Sequence, residues 1–342
     1  MSFASANEIV ATVSVDGVVT GVGAGSTTIA LTTADASMVS VAILVVAGQP
    51  SGILGARTLI TDRPFGIGIS SADQVYVTRL DGAVTRGSLP QFLIEGEVAV
   101  GSVPRFVVFS PDGSTAFVAN EFSSTISRID VTTHVETGLI PLTGSLFRLA
   151  ISADGNVLYA AGNGDEVFVI NAISGALTAT IPVDNDPNGM VFSPDGSFLY
   201  VSHISGNSVV EIRTGTNTVS RTFDLGQSAS QDMAVSVDGT TLYVAMEGGQ
   251  RIQKIDLPSG QLVGSIGLPA GAAPFGMAMT LSGAQLYVSG GVATGAIYIV
   301  DLASETVLST LVVGGNPRRV AFSADGNTAL FTNENGWVDT ID

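Results

Sequence analysis

Cysteine is absent from the 342 residues, so no disulfide braces the fold and cysteine usage says nothing about redox compartment. Basic residues are scarce: one lysine, Lys254, and twelve arginines stand against 30 acids, a formal charge of -17. That balance argues against general binding to nucleic acid or to an anionic membrane, because most of the surface would repel phosphate. Charged residues of both signs make up only 13% of the chain, about half the usual share, which leaves Ser, Thr, Gly and Asn to solvate the surface. Long apolar runs are missing as well. The longest, Val41 to Ala47, is strand-length and far below the roughly 18 residues of a spanning helix, so membrane insertion is not expected. Met1 to Ala6 has neither a basic nor an apolar leader region, so a signal peptide is not expected in this chain.

What the chain has is repetition. Seven repeats of about 42 residues start at Pro64, Pro104, Leu146, Pro187, Ser230, Pro274 and Pro317. Each opens with an apolar run that ends in a turn such as Ser110-Pro111-Asp112-Gly113 or Ser193-Pro194-Asp195-Gly196, and a second apolar pair follows, as in Tyr76-Val77, Tyr200-Val201 and Tyr287-Val288. Repeat three shows four strands: Leu146 to Ser152, Val157 to Ala161, Glu166 to Asn171 and Ala176 to Val183. A period near 40 made of short strands and Gly-bearing turns predicts an all-β, seven-bladed β-propeller, one four-stranded blade per repeat. The last repeat stops after its third strand. The spacing from Gly52 to Pro64 matches that from Gly175 to Pro187, so a strand within residues 53–61 is expected to complete the last blade, Ala56 to Ile60 pairing with Trp337 to Ile341. Closure of this kind removes the free edge of an open array.

Residues 49–342 are thus assigned to the propeller and 1–48 to a separate segment of three or four strands, with hairpin signals such as Asp16-Gly17. So short a segment buries little surface alone, and its dense apolar set, Val39, Val41, Ile43 and Val45, is expected to be covered from outside the segment. Ser5 through Ile29 resembles the C-terminal half of a bacterial immunoglobulin-like group 2 domain. The stretches PRFVVFSPDGSTAFVAN from Pro104 and PNGMVFSPDGSFLYVS from Pro187 resemble the YVTN-type seven-bladed propeller repeat, whose signature is spelled here Tyr76-Val77-Thr78-Arg79, Phe117-Val118-Ala119-Asn120 and Leu330-Phe331-Thr332-Asn333. The resemblance implies an extracellular or cell-surface protein. It transfers no catalytic residue, because the motif is structural.

Candidate chemistry gathers where the first strands begin. Arg63, Arg105, Arg148, Arg318 and Arg319 all sit at these starts, and the loops between second and third strands, expected on the same face, add Glu121, His203, Glu247 and Glu334. Five guanidiniums around a channel mouth suit a carboxylate, sulfate or phosphate. The competing reading pairs each with a loop acid such as Asp62, Asp184, Asp186 or Asp232. His203 and His134 are read as exposed loop residues, Asp184-Asn185-Asp186 as too few oxygens for calcium, and Trp337 as a filler between blades. No catalytic residue, cofactor or metal is assigned. The expectation is a non-enzymatic binding, adhesion or scaffold module of the cell exterior that holds a glycan, peptide or small anion at the channel mouth. The alternative is a propeller enzyme of the lactonase or streptogramin-lyase type acting at the same face.

Overall fold

The computed structural model describes residues 2–6, 11–15, 19–21, 25–32, 38–45, 49–226, 230–290 and 295–342. Seven four-stranded antiparallel sheets follow one another along the chain. The first strands are Pro64–Ile69, Pro104–Phe109, Leu146–Ile151, Pro187–Phe192, Ser230–Val235, Pro274–Met279 and Pro317–Phe322, opening blades 1 to 7 in order. Each first strand contacts the first strands of both neighbouring blades, and the last contacts the first, so these strands form a closed inner ring around the channel. The ring is sealed as its spacing predicts. Leu54–Leu59 pairs antiparallel with Trp337–Ile341 as the fourth strand of blade 7, with Leu59 opposite Trp337 and Arg57 opposite Asp339.

The core is divided among the blade interfaces, one apolar cluster to each. The repeated tyrosine of the second strand is a main filler: Tyr76, Tyr159 and Tyr287 are fully buried. Each packs on the phenylalanine closing the next blade's first strand, Phe109, Phe192 and Phe322 respectively, with ring centroids 4.9, 5.8 and 5.2 Å apart. A hydroxyl two residues after that tyrosine position, which Leu330 fills in blade 7, stitches blades together. In blade 6, Ser289 Oγ accepts from Gly276 N at 3.0 Å and donates to the Arg318 carbonyl of blade 7 at 2.5 Å, and Ser202 of blade 4 and Thr332 of blade 7 bond in the same way. Gly276 is required there, since a Cβ would collide with the same Arg318 carbonyl.

In the N-terminal segment Gly25–Thr32 lies between Ser2–Ser5 and Met38–Val45, and Ala11–Val13 pairs with Val19–Gly21, all antiparallel. The pairing of Ser2–Ser5 was not expected from the sequence. The burial expected of Val39, Val41, Ile43 and Val45 falls on side chains outside those described, as does the Asp16-Gly17 turn outside the described residues.

Candidate functional site at the channel mouth

All seven first strands slip register against their second strands just after the first residue. Such an irregularity breaks the strict in–out alternation of a strand and re-aims side chains, so here the second residues face the channel and four long or charged side chains at the third position reach it as well. The second residues are Phe65, Arg105, Phe147, Asn188, Gln231, Phe275 and Arg318, and all seven line one cavity of about 220 Å³, together with Glu121, Ile204 and Arg319. The third residues are Gly66, Phe106, Arg148, Gly189, Asp232, Gly276 and Arg319. Three of these are glycines, and the other four meet across the channel below the cavity as its floor.

The floor is an ionic triad spanning blades 3, 5 and 7. Arg148 Nη2 donates to Asp232 Oδ1 at 2.6 Å and Arg319 Nη1 to Asp232 Oδ2 at 3.1 Å. Asp232 also accepts from the backbone N–H groups of Met233 and Met277, at 3.1 and 3.2 Å. The three side chains are at most 9% exposed. Burial alone would raise the Asp232 carboxyl, but Arg148 and Arg319 outweigh it and hold it below the usual carboxylate range. The Arg319 guanidinium is lowered to about 9, by burial first and by the neighbouring Arg148 second. Two cations thus share one carboxylate, and Nε of both arginines is buried without a partner.

The rim is balanced. Arg105 pairs with Glu121, Arg318 Nε donates to Glu334 Oε2 at 2.7 Å, and Arg63 pairs with the same Glu334. Glu247 accepts from Gln231 Nε2 at 2.6 Å and acts electrostatically on Arg318. Burial, with Arg105 and Arg63 contributing, lowers Arg318 to about 10. Between these ions runs a ladder of alternating guanidiniums and rings. Arg105 lies 4.5 Å from the Phe65 centroid, Arg318 lies 5.4 Å from Phe65 and 4.5 Å from Phe275, Arg319 lies 4.7 Å from Phe275 and 5.7 Å from Phe106, and Arg148 lies 4.0 Å from Phe106. Each contact of this kind contributes about 0.5–2 kcal/mol.

The structure brings together all five arginines with Glu121, Glu247 and Glu334, and gives every arginine an acidic neighbour. Among the acids proposed as loop partners, only Asp232 is one of them. His203 does not join the site. It ends the second strand of blade 4 opposite Pro187, fully buried, with Nδ1 3.1 Å from the Ser208 carbonyl oxygen and Nε2 unpartnered. This corrects its reading as an exposed loop residue: the strand runs one residue further than expected and carries it inside. Burial lowers its pKa. His134 is half-buried, with Nδ1 2.8 Å from the Tyr76 hydroxyl. Trp337 is more than filler, since Arg57 stacks 4.3 Å from its ring centroid. Asp184 accepts from Ser208 Oγ at 2.8 Å, Asp186 accepts from Ser205, and among the described residues no group of three His, Cys, Asp or Glu is placed to hold a metal ion. Reading for charge missed Phe65, Phe106, Phe147, Phe275, Asn188 and Gln231. The signal was present: the second position of the repeat holds three phenylalanines, two arginines and two amides, a mixture that blade packing does not call for.

Fold and site together define a seven-bladed propeller with an arginine- and phenylalanine-lined channel mouth. Residues 71–264 match the family model described as lactonase, 7-bladed beta-propeller, and the chain belongs to that family. A seven-bladed beta-propeller protein of Mycobacterium tuberculosis is 32% identical over 131 residues, 36% of this chain and 33% of that protein, so the chain spans about a third of the length of this curated relative. A solved chain of Kuenenia stuttgartiensis hydrazine synthase superposes with a TM-score of 0.74 at 21% identity, covering 86% of this chain and 99% of its own; that likeness shows the fold alone.

Proposed function

We propose that the channel mouth binds a small anionic molecule. The observation that carries this reading is the floor: Arg148 and Arg319 share the single carboxylate of Asp232, which leaves one positive charge uncompensated in a nearly dry layer beneath a cavity. An unpaired buried charge costs several kcal/mol, and an anion arriving in the cavity relieves that cost. The resemblance of Ser5–Ile29 to an immunoglobulin-like segment, and of the blades to YVTN repeats, supports a binding role at the cell exterior with the boundary between the two parts near residue 48. A cavity of about 220 Å³ suits a small molecule better than a protein or glycan surface.

Membership in the lactonase propeller family favours a second reading, the opening of an anionic lactone. Glu121 and Glu334 stand beside guanidiniums at the rim. A carboxylate there would take a proton from water as its oxygen bonds to the lactone carbonyl carbon, and arginine would hold the resulting oxyanion. The ring C–O bond then breaks, that proton passes to the departing alkoxide, and the second proton of the water is released to solvent as the new carboxyl ionises, leaving a hydroxy acid anion. Titration of citrate, sulfate, benzoate and uronic acids, with proton release from γ- and δ-lactones followed in the same samples, tests both. Binding that weakens at least tenfold in Arg105→Ala/Arg318→Ala supports the site, and lactone turnover lost in Glu121→Gln or Glu334→Gln supports the enzyme. No binding to any acid and no turnover overturns both.

A further inference from the structure

We propose that the ligand is a monocarboxylate with a small, flat apolar body, seated with its carboxylate down on Arg319 and its body against Phe65, Phe147, Phe275 and Ile204. This rests on the reading of the mouth as an anion site and names the class of anion.

The charge distribution sets the orientation. At the rim Arg63, Arg105 and Arg318 face Glu121, Glu247 and Glu334, three cations against three carboxylates. At the floor two cations face one. The place that lacks a negative charge is therefore the bottom of the cavity, and it lacks one. Arg319 lines the cavity, is buried, and keeps an unpartnered Nε–H donor. A second negative charge on the ligand would have to sit among the rim carboxylates.

The wall sets the body. Asn188 Nδ2 donates to Gln231 Oε1 at 2.8 Å and Gln231 donates on to Glu247, while the rim carboxylates accept from arginines. The polar groups of the rim are thus engaged with one another, and the hydroxyls of a sugar acid would be buried against them without full replacement for water, which is costly. The phenylalanines offer a surface that needs no such partners. A volume of about 220 Å³ lies below the roughly 300–1,000 Å³ of drug-sized pockets and suits a single ring.

Benzoate, phthalate, gluconate and inorganic phosphate are titrated against the full chain by calorimetry. Benzoate binds at least tenfold more tightly than the other three. Arg319→Met abolishes its binding while the protein still melts cooperatively, because Arg148 and Asp232 then form a balanced pair. Phe275→Ala, which removes part of the apolar wall, weakens benzoate at least fivefold. Gluconate or phosphate binding as tightly as benzoate, and lost in Arg319→Met, overturns the apolar monocarboxylate while leaving the anion site standing. Equal affinity for phthalate overturns the single charge, and the absence of any acid binding that responds to Arg319→Met overturns the site as well. Should Arg319→Met not fold, wild-type crystals soaked in 4-bromobenzoate give the same answer: bromine toward the rim supports the proposal, and bromine toward Arg319 defeats it.

Discussion

Asp232 shows how much one side chain in a thin layer controls. It draws together arginines 84 and 87 residues away and takes backbone hydrogen bonds from blades 5 and 6. Asp232→Asn removes the only negative charge between two buried guanidiniums, and breaking a buried pair in this way costs about 3–5 kcal/mol. Urea denaturation is expected to show a loss of that size. The apolar triple replacement Arg148→Met/Asp232→Leu/Arg319→Met is expected to recover most of it, because no charge is left to desolvate. An Asp232→Asn protein as stable as wild type would mean that water reaches the floor and that the layer is not dry.

The elements were the legible part of this molecule. Strand length, turn and period repeat locally, so seven blades and the closing strand follow from spacing, and the observed strand Leu54–Leu59 differs from the expected Ala56 to Ile60 only at its ends. The site was half legible. Arginines at the strand starts stand out in an acidic chain, but which acid each meets depends on the ring being closed, and no local pattern links Arg148 to Asp232. The phenylalanines were hidden because apolar residues near a strand start read as core until the register slip turns them toward the channel. Closure also makes a prediction. Arg57 donates to both Asp339 oxygens, at 2.6 and 3.0 Å, and to the Val313 carbonyl at 2.7 Å, tying the closing strand across blade 7 and onto blade 6. Deleting residues 1–63 should leave the edge of Trp337–Ile341 open and the protein aggregated on size exclusion, whereas deleting 1–48 should preserve a cooperative melt.

Across the whole molecule the titrating groups set the pH range of stability. Burial holds His203 below its ordinary 6.5, so as pH falls through 6.5 the unfolded chain binds a proton that the folded one refuses, and stability declines. The turn aspartates Asp112, Asp154, Asp195, Asp238 and Asp325 are held below 3.8 by serine hydroxyls and backbone N–H groups, Asp154 to about 2. Their contribution is complete above about pH 4 and is lost as pH falls toward 2. Burial and the neighbouring Arg86 lower His134 as well, so urea midpoints between pH 8 and 2.5 should fall in two steps, with His203→Asn shrinking the first and the double replacement His134→Asn/His203→Asn removing it while the second stays.

Those aspartates stand at the far ends of the first strands from the arginines, about 20 Å away for six residues of extended chain, with Asp130, Asp256 and Asp301 turning on the same face. The aspartate face thus carries negative charge held by hydroxyls and backbone N–H groups rather than by cations, whereas at the opening three guanidiniums face three carboxylates, so charge is unevenly spread along the channel axis. In any field the propeller has a preferred attitude. Laid on a positively charged support it adsorbs through the aspartate face and leaves the opening turned to solution, so a layer of it presents every cavity outward without engineered attachment.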